Sequence, residues 1–238
     1  MSTIVALRKL SHKEKLKNYI LNQYILKGIT NMVKAILFDL NGVLIDSEGL
    51  NREVWKRVFQ NYDLEFSEEL YTQLIDGRVT KEIAQEVVGK EKIREFVELK
   101  DKLWYDLFVE RGITVFDDTI PFLTKLKSSG IKTAIITSSR KAEYILEHLD
   151  MSQYFDVVIG GEDIACGKPN PEIVLKAMNL LNMDASEVAL VEDSVAGLEA
   201  GRKAGVYCIA VKRNAKSVFV EYDQVINNLS EIKLKYRR

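Results

Sequence analysis

The feature that most constrains this chain is a regular alternation of short apolar segments and amphipathic segments after Gly112. The apolar segments read IKTAIITSS, FDVVIGG, EVALVED and VYCIAV, and each is separated from the next by a helical pattern. An earlier apolar run, VKAILFDL at 33–40, predicts one more buried strand. Strands that alternate with helices predict right-handed crossovers and a parallel sheet covered by helices on both faces. We therefore predict an α/β core.

Residues 49–111, between the first predicted strand and the others, show helical spacing without a strand pattern. Because an insertion of helices alone cannot extend the sheet, we predict that it forms a separate helical cap. The predicted core then consists of residues 32–48 and 112–238. Residues 1–31 carry six basic side chains and one acidic one, and we interpret them as a basic N-terminal extension.

Composition narrows the range of partners. The chain has 34 Lys and Arg residues against 35 Asp and Glu residues, so its net charge gives no reason to expect nucleic acid. Cys166 and Cys208 are far apart and form no CxxC pattern, which favours a reducing compartment over a disulfide framework or a zinc site. We predict a cytoplasmic protein without a membrane span, a monomer or small homo-oligomer.

Polar residues stand at the ends of four predicted strands. In open parallel sheets, ligands bind outside the carboxyl ends of the strands, where the loops converge. The residues at those ends are Asp39 and Asn41 after the first strand, Thr137 and Ser138 after the second, Lys168 in the loop after the third, and Glu192 and Asp193 after the fourth. Each alone has an ordinary explanation as a helix cap or turn former. Their coincidence at four strand ends instead favours one common site.

Together these residue types are suited to phosphoryl transfer. The acidic side chains would form an oxygen-rich site of the kind that Mg²⁺ prefers. Asp39 would attack phosphorus as a nucleophile, and the metal with Lys168 would neutralise the phosphate oxygens. The hydroxyl of Thr137 and neighbouring backbone N–H groups would donate hydrogen bonds to the same oxygens.

Four strings carry a family resemblance: DLNGVLIDSE, IITSSR, GKPNPE and VEDSVAGLEAGRKAG. In this order and spacing they resemble the four motifs of the haloacid dehalogenase superfamily, in the branch of β-phosphoglucomutase and sugar-phosphate phosphatases. The resemblance implies a Rossmann-like core, a helical cap, an aspartyl-phosphate intermediate and dependence on Mg²⁺. It also implies the residue roles. Asp39 would be the nucleophile, Lys168 a catalytic and phosphate-binding lysine, Thr137 and Ser138 phosphate-binding residues, and Asp39, Asn41, Glu192 and Asp193 the metal ligands.

Asn41 departs from the family pattern, because the phosphatases and mutases of this family have a second aspartate at that position. The resemblance gives that residue two roles: its backbone carbonyl binds Mg²⁺, and its carboxyl protonates the leaving oxygen. An amide can donate a hydrogen bond, but it does not exchange a proton near neutral pH. General acid and base catalysis contributes roughly 10² to 10⁴ in rate. Phosphate esters with poor leaving groups should therefore be affected most.

Three hypotheses account for Asn41. Another side chain could supply the proton, with Glu48, Glu53 and a residue near Arg78 as candidates. Alternatively, the protein is a weak phosphatase or a phosphate-sensing binder. Finally, the Asn41-Gly42 sequence favours deamidation to aspartate, since glycine does not shield its own amide nitrogen.

The predicted function is a Mg²⁺-dependent phosphomonoester hydrolase that acts on a small phosphorylated metabolite through an aspartyl-phosphate at Asp39. Arg78 of the cap is the predicted substrate-binding residue. The alternative from another class is a non-catalytic phosphate binder or regulator on the same fold. A phosphomutase is less favoured, because Asn51 occupies the position of the cap histidine in glucose-phosphate mutases. A phosphonoacetaldehyde hydrolase would need a cap lysine, and Lys56 and Lys81 are the lysines that the sequence places nearest the cleft.

Overall fold

The computed structural model describes residues 33–75, 78–213 and 221–233. The predicted extension at 1–31 lies outside these residues. Among the residues that are described, no helix combines the length and the apolar character needed to cross a membrane.

A parallel sheet of six strands forms the centre of the molecule, with the strand order β5-β4-β1-β6-β7-β8. A further pair of strands, β2 and β3, forms a small antiparallel ribbon. The strands are β1 (Ala35–Phe38), β2 (Ile45–Asp46), β3 (Thr114–Val115), β4 (Lys132–Ile136), β5 (Val157–Ile159), β6 (Val188–Glu192), β7 (Tyr207–Val211) and β8 (Gln224–Ile226).

Eight helices accompany these strands in the described part of the chain. They are α1 (Glu48–Asn61), α2 (Glu68–Leu70, continued by a wider turn over Tyr71–Ile75), α3 (Thr80–Val87), α4 (Ile93–Arg111), α5 (Thr119–Ser128), α6 (Ala142–His148), α7 (Glu172–Leu181) and α8 (Val195–Ala204). The first four follow one another without an intervening strand of the main sheet. The other four alternate with strands, as predicted.

Strand β1 shows why the first apolar run lacks alternation. All four of its residues are fully buried. Ile36 and Phe38 belong to the core cluster that also contains buried residues of α1 and α4, whereas Ala35 and Leu37 belong to the cluster formed with α7 and α8. Because successive side chains of a strand point to opposite faces, a central strand covered on both sides must be apolar throughout.

The helical insertion leaves and rejoins the core through the β2–β3 ribbon, which the sequence did not predict. Ile45 pairs with Val115, and Asp46 pairs with Thr114. Two-residue strands are too short to give an alternating pattern. The third strand-like element that was missed, β8, has only three residues and continues the main sheet beside β7.

Aromatic residues fill the interior of the helical insertion. Trp55 and Phe59 of α1 form ring contacts, and Trp55 also contacts Phe96 of α4 at a centroid distance of 6.0 Å. Trp104 stacks on Phe108 at 5.0 Å. The predicted fold class, a Rossmann-like parallel sheet with helices on both faces and helices inserted after the first strand, is confirmed. The domain boundaries at 49 and 111 remain a prediction.

Candidate active site

Three neighbouring strands bring the predicted residues to one edge of the sheet. Strand β1 lies between β4 and β6 and pairs with both in parallel. Asp39 follows β1, Thr137 follows β4, and Asp193 follows β6. Since parallel strands end at the same edge, these side chains line one cleft, together with Asn41 and Ser138.

Lys168 connects two carboxylates beneath this cleft. Its Nζ lies 2.6 Å from Oδ1 of Asp39 and 2.7 Å from Oε2 of Glu192, and it also donates to the backbone carbonyl of Ile136 at 3.2 Å. The lysine side chain is only 1% exposed, so these three acceptors replace the water that its ammonium group loses. The loop after β5 thus contributes a charge to the ends of β1 and β6.

The ionisation of Asp39 and Lys168 follows from their burial together. Burial raises the pKa of Asp39 from its usual 3.8 to about 7, although the Lys168 charge opposes that shift, and the Glu192 carboxylate adds to it. The pKa of Lys168 is raised above its usual range, because attraction to Asp39 and Glu192 outweighs the burial that would lower it. The lysine is therefore cationic at neutral pH.

Glu192 is held by donors on both of its oxygens. Oε2 accepts from Lys168, while Oε1 accepts from the backbone N–H groups of Asp193 and Ser194 and from the Ser194 hydroxyl, at 2.9 to 3.1 Å. Gly197 allows this position, since a Cβ there would lie only 1.9 Å from Oε2. Sequence reasoning placed Glu192 among metal ligands; the structure also gives it the task of fixing Lys168 and the start of α8.

The acidic residues suit a hard divalent cation. Asp39, Glu192 and Asp193 each offer a carboxylate oxygen, and these oxygens lie within 4.8 Å of one another. Carboxylates of two strand ends with a nearby backbone carbonyl are the donor type that Mg²⁺ takes. Gly42 brings the backbone next to Asp193: its φ is +72°, and a Cβ there would meet Asp193 Oδ2 at 1.9 Å.

The Asn41 side chain is fixed on both of its polar atoms. Its Nδ2 donates to Oγ1 of Thr137 at 3.3 Å, and its Oδ1 accepts from the buried hydroxyl of Ser47 at 2.6 Å. The backbone N–H of Gly42, which would have to attack the Asn41 amide during deamidation, donates to the carbonyl of Ile45 at 2.9 Å. Deamidation of Asn41 remains a hypothesis, and these contacts act against it.

Arg78 lies on the cap side of the same cleft. Its guanidinium donates to the backbone carbonyl of Leu74 at 3.2 Å and pairs with Glu86 at 3.0 Å. The residue is placed where the sequence predicted it, but part of its hydrogen-bonding capacity is taken by the cap itself. Its role in substrate binding remains a prediction.

The cap contributes a lysine that the sequence did not single out. Lys100 of α4 lines the cleft, and its Nζ lies 6.0 Å from the centre of the Trp55 ring. Burial lowers the pKa of Lys100, which the nearby Asp101 carboxylate only partly opposes. Lys56 and Lys81, the cap lysines favoured from the sequence, are both exposed. Helical periodicity alone could not identify Lys100, because its position depends on how α4 packs across α1.

The structure also separates the two glutamates considered as proton donors. Glu48, at the start of α1, lines the cleft and pairs with Arg52. Glu53 pairs with Arg57 at 2.7 Å one turn further along the same helix. Of these two, Glu48 is therefore the one placed beside the acidic residues.

Polar contacts are among those that join the core and the cap. Glu82 of α3 accepts a hydrogen bond from the backbone N–H of Gly167, next to Lys168, at 2.9 Å. Asp101 of α4 lies 3.6 Å from Arg140, which follows β4. These contacts hold the insertion over the ends of the strands.

Comparison with known proteins agrees with this geometry. The sequence profile of the haloacid dehalogenase-like hydrolases matches residues 36–211, which include all four motifs. The chain belongs to this family. The prediction that it is a hydrolase of the haloacid dehalogenase type is thereby confirmed.

Relatives within the haloacid dehalogenase-like family include phosphatases and a mutase. A phosphorylated carbohydrates phosphatase of Thermotoga maritima is 30% identical over 84% of this chain and 100% of its own length. A β-phosphoglucomutase of Bacillus subtilis is 26% identical over 85% of this chain and 93% of its own. The crystal structure of CbbY from Rhodobacter sphaeroides with xylulose-1,5-bisphosphate is similar, with a TM-score of 0.74, 25% identity, and coverage of 84% of this chain and 96% of that one.

Proposed function

We propose that the protein hydrolyses a small phosphorylated metabolite, such as a sugar phosphate, through a phosphoryl group carried on Asp39. The observation that carries this proposal is the ion pair between Asp39 and Lys168 at the end of β1, with the acidic residues of β6 beside it. The names of the phosphorylated carbohydrates phosphatase and the β-phosphoglucomutase support the substrate class.

In the first step, Asp39 attacks phosphorus, and the bond from phosphorus to the leaving oxygen breaks. Lys168 holds Oδ1 of Asp39 at 2.6 Å, so the second carboxylate oxygen is the one available for attack. The leaving oxygen must gain a proton. In the second step, water attacks phosphorus, the bond to Asp39 breaks, and inorganic phosphate is released with the carboxylate restored.

Lys168 and Thr137 stabilise the charge on the transferring group. The buried ammonium of Lys168 acts in a region from which water is excluded, where its attraction for phosphate oxygens is strong. Thr137 and Ser138 line the same cleft and would donate to those oxygens. A Mg²⁺ ion held by Asp39, Asp193, Glu192 and the backbone carbonyl of Asn41 would supply further charge neutralisation when bound.

With Asn41 in place of an acid, the rate of hydrolysis should depend on the leaving group of the substrate. Because the amide cannot protonate a leaving alkoxide, we propose that Glu48, which lines the cleft, takes up a proton when it leaves its pair with Arg52 and passes that proton to alkyl leaving groups. The leaving groups of aryl and acyl phosphates depart without a proton, so these substrates should react without a proton from Glu48. The cap residues Lys100 and Arg78 would bind the polar part of the substrate that faces the insertion.

The test is phosphate release from a panel of sugar phosphates, an aryl phosphate and an acyl phosphate, with and without Mg²⁺. It uses the wild type, Asp39→Asn, Asn41→Asp and Glu48→Gln, after mass analysis of the peptide that contains residue 41. We expect Mg²⁺-dependent turnover that Asp39→Asn abolishes. We expect Asn41→Asp to raise the rate on sugar phosphates more than on the acyl phosphate.

Glu48→Gln should lower the rate on sugar phosphates and spare the acyl phosphate. Equal losses on both substrates would remove Glu48 from the role of proton donor. Inert wild type and Asn41→Asp proteins that still bind Mg²⁺ and phosphate would overturn the hydrolase proposal in favour of a phosphate-binding regulator.

A further inference from the structure

A chain of four hydrogen bonds runs from the interior of the cap to Thr137 at the end of β4. Trp104 Nε1 donates to Asn51 Oδ1 at 3.0 Å, and Asn51 Nδ2 donates to Ser47 Oγ at 3.3 Å. Ser47 Oγ donates to Asn41 Oδ1 at 2.6 Å, and Asn41 Nδ2 donates to Thr137 Oγ1 at 3.3 Å. The chain begins 3% exposed at Trp104 and ends fully buried at Thr137.

Trp104 determines the direction of the first two hydrogen bonds. An indole N–H can only donate, so the carbonyl oxygen of Asn51 must face it, and the amide NH₂ of Asn51 must face Ser47. In the structure the Ser47 hydroxyl accepts from Asn51 and gives its single proton to Asn41. The carbonyl oxygen of Asn41 faces Ser47, and its NH₂ group faces Thr137. The orientation of the Asn51 amide follows from chemistry rather than from the similar shapes of oxygen and nitrogen.

The last hydrogen bond of the chain occupies one lone pair of the Thr137 hydroxyl. Its Oγ1 accepts from Asn41 and also from the backbone N–H of Ser139 at 3.2 Å. A hydroxyl has two lone pairs and one proton. With both lone pairs used, the proton is left to donate, and Thr137 lines the cleft beside Asp39.

We infer that Trp104, Asn51 and Ser47 are positioning residues that orient the Asn41 amide, so that the Thr137 hydroxyl presents its proton to the bound phosphate. This inference rests on the proposed function only in taking a phosphate group as the ligand of Thr137. It gives Asn41 a role in phosphate binding that requires no proton transfer.

Binding of inorganic phosphate to the full chain tests this inference without requiring turnover. Calorimetric titrations with Mg²⁺ present would compare the wild type, Trp104→Phe, Thr137→Val and the double variant. Losing one such hydrogen bond is worth about 0.5 to 1.5 kcal/mol, so Trp104→Phe should weaken phosphate binding roughly twofold to tenfold. In the Thr137→Val background, Trp104→Phe should have no further effect.

Phe108→Leu is the matched control, because it removes the ring stacked on Trp104 and keeps the indole donor. It should leave phosphate affinity close to that of the wild type. If Thr137→Val does not fold, Ser47→Ala replaces it: Trp104→Phe should then add nothing to Ser47→Ala, since both interrupt the same chain.

Three results would overturn the inference. The first is that Trp104→Phe lowers phosphate affinity equally with and without the Thr137 hydroxyl. The second is that Phe108→Leu lowers phosphate affinity as much as Trp104→Phe does. The third is a wild type that does not bind inorganic phosphate. Coupling between Trp104 and Thr137 in a protein without phosphatase activity would sustain the inference while the hydrolase proposal fails. Phosphatase turnover without coupling between Trp104 and Thr137 would support the hydrolase proposal while this inference fails.

Discussion

Lys168 and Asp39 lie 129 residues apart in the chain, yet the lysine Nζ is 2.6 Å from the aspartate Oδ1. Both side chains are almost completely buried. The same Nζ also pairs with the Glu192 carboxylate, so that one ammonium group contacts two carboxylates. This cluster is the chemical centre of the proposed site. Because its charges are buried together, removing one member leaves the charge of the others uncompensated.

Lys168→Met should destabilise the protein and abolish turnover. Without the ammonium, Asp39 and Glu192 are left as neighbouring buried carboxylates, and breaking a buried pair in this way costs about 3 to 5 kcal/mol. Chemical denaturation would measure the loss. Lys176→Met is the control, because Lys176 is partly exposed and lies 3.7 Å from Asp163. Similar stability of Lys168→Met and Lys176→Met would show that the buried cluster contributes little to folding.

Stabilisation by Mg²⁺ should increase with pH. The pKa of Asp39 is raised to about 7, so between about pH 4 and 7 the folded protein holds a proton that the unfolded chain has released. This group's contribution to stability therefore falls as pH rises through that range in metal-free protein. Mg²⁺ has to displace the same proton, and its effect should be small at about pH 5 and level off above about pH 7.

Thermal unfolding with Mg²⁺ and with EDTA, over this pH range, would measure the effect. Asp39→Asn removes the titrating carboxyl and should make any remaining Mg²⁺ stabilisation independent of pH between about 5 and 8. A stabilisation by Mg²⁺ of the wild type that is constant, or larger at low pH, would contradict the raised pKa of Asp39.

Gly42→Ala should remove Mg²⁺ binding as well as stability. The added Cβ would meet the Asp193 carboxylate and would also force alanine into a positive φ of 72°. Gly130→Ala is the matched control, since Gly130 has a φ of +69° with no atom within 4 Å of the added Cβ. Both variants should lose about 1 kcal/mol from backbone strain, and Gly42→Ala alone should lose Mg²⁺ affinity in calorimetry. Unchanged Mg²⁺ affinity in Gly42→Ala would exclude the Asp193 carboxylate, in its position next to residue 42, as a Mg²⁺ ligand.

Lys100→Met should raise KM and leave kcat nearly unchanged. Lys100 lines the cleft from the cap, so it should bind the part of the substrate that faces the cap. A hydrogen bond to a charged group is worth about 1.5 to 3 kcal/mol, which predicts a rise in KM of roughly tenfold to a hundredfold. Lys102→Met, two residues further along α4 and exposed in its pair with Asp106, should show neither change. A fall in kcat at constant KM would instead place Lys100 at the reacting atoms.

The fold could be predicted because its signals are local. Apolar runs such as Ala35–Phe38 and the helical spacing of α4 depend on which faces are buried, and that periodicity is present in the chain itself. The pairing of Ile45 with Val115 could not be found in this way. A two-residue strand has no period, and its partner lies beyond the whole helical insertion.

The site was predicted in part for the same reason. Residues at strand ends, such as Asp39, Thr137 and Asp193, meet wherever parallel strands lie side by side, and the resemblance to a family indicated their roles. Lys100 could not be predicted, because nothing in a helical pattern tells which of several lysines faces a cleft. By itself, the sequence determined the parallel sheet, the helical insertion and which polar residues stand at the strand ends.

Only the tertiary structure decided how the Asn41 amide is oriented. The sequence showed an amide in place of an acid and left three explanations open. The hydrogen bonds from Trp104 to Thr137 depend on the packing of α4 against α1 and of α1 against the loop after β1. The direction of a hydrogen-bond chain is a property of all its members together, and it exists only when the fold has brought them within reach of one another.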